Sequence, residues 1–436
     1  MGSWSQGIGT IQPSVKLEFV DVTRIGFSSI AYYCGLIVGA SFWGISADFI
    51  GRKPAFNATL LIGGVFGAAV AGLNNFPGFC VMWAIIGTAA GGNVPVDSMI
   101  FLEFVPGSHQ YLLTALSAWW NLGQVIVALI GWVFVANFNC PANATPVTCK
   151  RADNMGWRYT MIVLGGLAIA FAMIRIFIFR MPESPRYLLS KGRDAEAVEA
   201  VNYVARRNGK PEPLNLTMLQ DIDRELGIMV NNDEGRARLS RTQIITENLM
   251  DFKSANYKGL FATGIAYPLY FNFLPTYLAQ KFTESSSLYL TYRNYCIESA
   301  VGVVGPVSAA FAVNTRLGRR GMMGVSAIVT GVFLFGYTAA RTSAADLAFS
   351  CVTGLLGNFE YAIMYAFTPE SFPGPHRGTG SGTAATLLRF GGLCASLIGT
   401  YTNFTVVPIY ISAALWILVG IVSFGLPFET HGRAAI

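Results

Sequence analysis

The sequence predicts an all-α polytopic membrane protein: two pseudo-symmetric six-helix bundles joined by a charged linker, with the first helix cut short. Three observations carry this expectation. Hydrophobic residues make up 53% of the 436 positions and charged residues 12%, about half the roughly 25% of soluble domains. The charges are crowded, with 25 of the 54 (30 basic plus 24 acidic) between positions 180 and 258, and long uncharged apolar stretches lie on either side. Finally, a set of residues recurs at a constant separation of 267 positions. Such a composition excludes a soluble enzyme and a disordered chain. The net charge of +6 sits on residues that punctuate apolar segments, so it is not a nucleic-acid footprint and no nucleic-acid partner is expected.

A hydrocarbon core of about 30 Å takes roughly 20 helical residues to cross. Without water at that depth, each crossing must satisfy its own backbone hydrogen bonds. At the N-terminus, residues 2–20 supply a short, partly apolar piece that lacks the basic region of a signal peptide. Lys16 marks its outer end, which leaves about 15 residues, or roughly 22 Å of helix, for a core of about 30 Å. The chain is therefore read as beginning inside its first span. Eleven full spans follow, at about 26–48, 55–75, 79–103, 112–136, 157–179, 259–280, 290–313, 321–340, 346–368, 378–401 and 406–427. Glycines four apart, Gly63 with Gly67 and Gly87 with Gly91, let helix backbones approach closely in lipid, where water exclusion contributes little.

The linker holds two charged stretches of helical apolar spacing, 194–207 and 216–228, which read as amphipathic helices on the inner face. The domains are thus 1–180 for the N-terminal bundle, 181–258 for the linker and 259–436 for the C-terminal bundle. Nothing in the linker forms a phosphate loop, and His109, His376 and His431 are scattered, so an enzyme, an ATP-driven pump, a metal site and a cofactor are all unexpected. Placing the 51–53 loop in the cytoplasm puts 20 of the 30 Lys and Arg on that side, together with both chain ends and the linker. That is the asymmetry the positive-inside rule describes.

The repeat pairs Gly51, Arg52, Lys53, Glu103, Pro106 and His109 with Gly318, Arg319, Arg320, Glu370, Pro373 and His376. A looser echo sets Arg180, Glu183 and Arg186 against Leu426, Glu429 and Arg433. The run from Gly44 through Asp48 to Lys53 resembles the loop signature of the major facilitator superfamily. Pro182 to Leu189 and Pro427 to Arg433 resemble the markers that close each half of its sugar-porter-like members. The runs Gly91 to Asp97, Leu102 to Pro106, Thr368 to Pro373 and Arg377 to Gly382 are similar to a fungal branch related to synaptic-vesicle transporter-like proteins. Trp4 to Pro13 resembles the outer half of the family's first helix, whose inner half would lie upstream of Met1. There relatives often carry an acidic residue, so this form is expected to fold yet transport poorly. Two departures stand out. Asn314 and Thr315 replace an acid frequent in the second-half loop, and the 264–275 helix lacks the paired glutamines of a sugar site. A sugar is therefore not assigned as the solute.

The resemblance implies a gate rather than a solute site at the motifs: Asp48, Arg52 and Glu103 in the first half, and Arg319 or Arg320 with Glu370 in the second. A planar guanidinium can hold two carboxylates, and such a cluster must break when the halves rock. Charges inside the spans are costly; here they are Asp97, Arg175, Glu298, Glu360 and Arg389. Arg389 either fixes an anionic group of a solute or neutralises Glu360 or Asp97. Asp97 and Glu360, with Glu298 behind them, are the candidates for proton coupling. Asp97, Glu360 and Arg389 are expected to line or border the central cavity. Asn121, Gln124 and Asn272 contact either solute or a neighbouring helix. Tyr267, Tyr270, Phe271 and Phe273 sit on a helix bent by Pro268 and Pro275, forming either a gate wall or a lipid-facing belt. Cys140 and Cys149 share an outward loop where a disulfide can form, and Asn143 in the same loop is a glycosylation candidate.

The expected function is secondary active transport by alternating access: proton-coupled uptake of a small polar or anionic organic solute by a monomer in the plasma-membrane bilayer. Two alternatives stay open, a facilitative uniporter and a non-transporting sensor on the same fold. About nine residues follow the last span, which disfavours a sensor with a signalling tail.

Overall fold

The computed structural model describes residues 2–20, 22, 24–105, 109, 111–141, 144–178, 181–225, 257–272, 288–371, 377–402, 406–426 and 429. Asn143 and His376 lie outside the described residues, as do the side chains of Asp48 and Asn272.

The first bundle comprises α1 (Gly2–Glu18), α2 (Phe27–Ile50), α3 (Arg52–Ala69), α4 (Phe76–Phe104), α5 (Leu112–Leu116), α6 (Ala118–Phe134) and α7 (Gly156–Phe177). The linker contributes α8 (Pro185–Ser190), α9 (Asp194–Arg207) and α10 (Leu216–Glu225). The second bundle begins with α11 (Tyr257–Tyr267) and continues through α12 (Leu288–Gly302), α13 (Val304–Ala312), α14 (Gly318–Ala339), α15 (Ser343–Glu370), α16 (Arg377–Tyr401) and α17 (Val407–Phe424). Ten helical segments among the described residues are long and apolar enough to cross a membrane. The expected span at 259–280 is described only as far as Asn272. In the linker, α9 spans the same residues as the expected 194–207 helix, and α10 is described as far as Glu225, the expected 226–228 lying outside the described residues.

Three expected spans are interrupted, each for a local reason. The 112–136 span breaks at Ser117, whose hydroxyl donates to the Thr114 carbonyl at 2.7 Å and competes with the helical ladder. The 290–313 span breaks at Val303. Pro306 has no N–H to offer the carbonyl four residues back, and that carbonyl, Gly302, instead accepts from Asn121 Nδ2 at 3.2 Å. In the 259–280 span, Pro268 opens a π-helical turn over Pro268–Asn272, the widened ring that accommodates a missing donor.

Packing uses the expected glycines. A Cβ at Gly87 or Gly91 would collide with the Tyr32 or Leu36 carbonyl of α2, so α2 and α4 cross backbone to backbone. Gly63 and Gly67 instead accept the Trp4 indole of α1. At the Gly51–Gly318 end, called here the motif end, the two bundles meet where Gly44 on α2 faces Gly382 on α16. A Cβ on Gly44 would lie 3.7 Å from the Gly382 Cα. The far end carries the Cys140–Cys149 disulfide.

Candidate functional site

At the motif end, each half builds the same bracket. Gly51 has φ +100° and Gly318 φ +62°, backbone regions that favour glycine. Each lets the chain turn sharply into α3 or α14, leaving helix-start N–H groups in need of acceptors. Glu183 accepts from the Arg52 N–H at 3.0 Å and from that of Lys53. Glu429 accepts from Arg319 and Arg320 N–H at 3.1 and 3.0 Å. The side chains then pair, Arg52 with Glu103 at 3.4 Å and Arg319 with Glu370 at 2.8 Å, both of the latter 5% exposed. Arg320 instead directs its guanidinium to the Phe424 carbonyl, which resolves the choice between Arg319 and Arg320. The Arg52 guanidinium also sits 4.9 Å over the Tyr187 ring, tying α8 to the bracket.

Glu103→Gln keeps an acceptor for Arg52 but removes the charge, a loss of about 1 kcal/mol. Transport should change by roughly fivefold with little loss of folded protein. Unchanged kinetics in reconstituted vesicles would remove the gate role.

A cavity lies between the bundles. The first half presents Tyr32 and Tyr33 of α2 with Trp120, Asn121 and Gln124 of α6; the second presents Tyr267, Asn358, Tyr361 and Arg389. The rings are packed edgewise or tilted, Trp120 to Tyr361 at 5.8 Å and Tyr267 to Tyr361 at 5.1 Å between centroids. Arg389 is the one charged side chain among the described lining residues. It lies beside the Tyr361 hydroxyl, and its Nε is buried without a hydrogen-bond partner. A seam of amides crosses from half to half. Asn121 reaches the Gly302 carbonyl, and Gln124 Nε2 donates to the Tyr267 hydroxyl at 3.1 Å. Tyr267 in turn donates to Asn358 Oδ1 at 3.0 Å, and Asn358 Nδ2 donates to the Gly354 carbonyl at 2.8 Å. Toward the disulfide end, α1 joins the second half: Tyr295 donates to Gln6 Oε1 at 2.7 Å and Tyr292 to the Thr10 carbonyl at 2.6 Å.

Of the solute and coupling candidates, Asn121, Gln124 and Arg389 are in the cavity wall, and Asp97, Glu298 and Glu360 are not. Asp97 and Glu360, expected to line or border it, are not among its lining residues, although Glu360 adjoins one of them, Tyr361, in sequence. Asp97 sits on α4 within the first bundle, facing Arg175, whose guanidinium stacks on Phe56. Glu360 neighbours the lining Tyr361 but is itself 0% exposed, and neither of its carboxylate oxygens has a hydrogen-bond partner. One helical step of about 100° separates a residue in the wall from one behind it. Asn272 belongs to the π-helical turn.

Sequence reasoning missed Glu183 and Glu429 as caps, although the looser echo already set one against the other. It also missed Glu18 and Arg158, which form a buried bidentate pair at 2.7 Å. Glu18 further accepts from Trp157 Nε1 at 2.9 Å and Asn154 Nδ2 at 3.0 Å, while Arg158 donates to the Ala71 and Leu73 carbonyls. This network docks α1 onto α7 and the end of α3.

A model of the Major Facilitator Superfamily matches residues 2–315. The major facilitator-type transporter hxnZ of Emericella nidulans is 65% identical, the alignment covering 99% of this chain and 82% of that protein. The MFS siderochrome iron transporter 1 of Ceriporiopsis subvermispora is 43% identical over 94% of this chain and 81% of its own. The niacin transporter NiaP of Acinetobacter baylyi is 26% identical over 85% and 76%. Among solved structures, the proton:xylose symporter XylE bound to 6-bromo-6-deoxy-D-glucose superposes with a TM-score of 0.77. That match spans 100% of this chain and 94% of that one at 16% identity, a likeness of fold.

Proposed function

The chain belongs to the major facilitator superfamily and is a multi-pass membrane transporter rather than an enzyme, and from that premise we propose that it carries a small, flat organic anion with coupled protons. Arg389 carries this reading. A lone guanidinium whose described neighbours in the cavity wall include no acid favours a solute that brings the negative charge. Tyr32, Tyr33, Tyr361 and Trp120 share the cavity wall with it and offer ring faces and edges suited to a planar body. Niacin, an aromatic carboxylate, is a solute of this class and appears in the name of one relative. An organic cation would meet Arg389 with like charge. The proposed orientation puts the motif end and linker in the cytoplasm of a plasma-membrane protein, supported by the Lys and Arg asymmetry. The disulfide then faces the oxidising side.

The test is an uptake panel in proteoliposomes, using nicotinate, benzoate, tetraethylammonium and xylose with and without an inward pH gradient. Accumulation of the two carboxylates, driven by the gradient, is expected. Transport of tetraethylammonium or xylose in their place would overturn the solute class, and uptake indifferent to the gradient would make the protein a uniporter.

A further inference from the structure

We propose that Glu298 binds the coupled proton, and that losing this proton opens the amide seam between the two bundles. The inference rests on the carrier reading above and names its coupling residue. Glu298 projects from α12 against the bare Cα of Gly354 on α15, where a Cβ would lie 2.6 Å from its Oε1. The residue is 5% exposed. Among the described residues it makes no ion pair and no hydrogen bond. Tyr267 and Tyr270 face it from the π-turned helix, Tyr295 from its own helix and Cys351 from α15. None of these groups carries positive charge. A carboxyl in such a place suits its neutral form, because an ionised one needs donors that this conformation does not supply.

Donors on the helices around it are already engaged, and several belong to the chain of hydrogen bonds that joins the halves. One turn along α12, the Gly302 carbonyl holds the Asn121 amide of the first bundle. Across the gap, Asn358 binds the Gly354 carbonyl and accepts from Tyr267, which accepts from Gln124 of the first bundle. Loss of the Glu298 proton creates an acceptor stronger than any of those carbonyls. Drawing Tyr267 or Asn358 toward it releases Gln124 and parts the bundles. The proton comes from water on one side as the seam closes and leaves to water on the other as it opens, with no other bond made or broken. Glu360 is sealed at 0% exposure, and Asp97 faces Arg175, so neither is placed on this seam.

The test needs no solute. Ser117 lines the cavity, and Ser117→Cys in the full-length chain gives a reporter for a membrane-impermeant thiol reagent, read against the parent chain without it. Labelling is expected to rise with pH when Glu298 is present. In Glu298→Gln, labelling corrected for the rise in thiolate fraction with pH, measured on a fully exposed cysteine, should stay at the low-pH level throughout. Glu298→Asp, which keeps the acid on a shorter stem, should shift the midpoint, so that poor folding of the glutamine variant leaves a second reading. The same pH dependence in both variants and parent would overturn the proposal. Failure of the carrier reading looks different: nicotinate is not accumulated, yet labelling still follows pH through Glu298.

Discussion

Arg389→Ala is expected to reduce nicotinate uptake roughly a hundredfold at low solute while leaving the protein inserted and folded. The estimate follows from the site. A charge-assisted hydrogen bond to a desolvated carboxylate is worth about 3 kcal/mol, and no other cation among the described residues lines the cavity. Arg389→Lys should recover only part of the loss, because an ammonium supplies the charge without the planar fork. Concentration-dependent uptake in proteoliposomes separates the cases, since the alanine variant should fail mainly through a raised KM. Normal uptake with an unchanged KM would show that Arg389 serves only to balance charge within the protein.

The second large effect concerns stability. Arg158→Met leaves Glu18 buried beside Trp157 and Asn154 with no counter-charge, where the pair is now 1% and 8% exposed. Breaking a buried pair on one side costs about 3–5 kcal/mol, whereas replacing both members by apolar groups is far milder. The single variant should lose most of its folded yield or melt well below the parent in detergent. A double variant, Glu18→Leu with Arg158→Met, should recover much of the difference. Equal melting of single and double variants would remove the network as the anchor of α1.

Both results bear on what the residue pattern can disclose. The spans were legible because depth in a bilayer is written in composition: a run of apolar residues of the right length has one use. The 267-residue offset was legible for the same kind of reason, and it narrowed the partner of Glu370 to Arg319 or Arg320, of which the fold selects Arg319. Direction around a helix axis was not legible. In a membrane bundle, the face toward lipid and the face toward neighbouring helices are both apolar, so no polar stripe tells them apart. Arg389, Asp97 and Glu360 all stood out as costly charges, yet only Arg389 faces the cavity. Tyr32, Tyr33 and Tyr361 did not stand out, since a tyrosine in an apolar helix also suits the interfacial belt. Glu18 and Arg158 sit near helix ends, where charges are ordinary. Only the fold reveals that they are buried together. The breaks at Ser117 and Val303 depended on one hydroxyl and one proline whose effects were set by their surroundings.

The glycine crossing at the motif end has a consequence for how closure responds to its environment. Where α2 and α16 meet, Gly44 and Gly382 come together without side chains, so the two halves close there by shape. The ion pairs at that end, Arg52 with Glu103 and Arg319 with Glu370, each join helices of the same half. Ionic strength, which weakens charge pairs over a screening length of about 10 Å, therefore acts on the stiffness of each half more than on the contact between them. Volume acts on the contact directly. A Cβ at position 382 would already touch the Ala40 carbonyl and the Gly44 Cα at 3.9 Å, so the two further methyl groups of Gly382→Val are expected to work as a wedge, holding the motif end ajar at any salt concentration, and Gly44 opposite has no side chain left to give up.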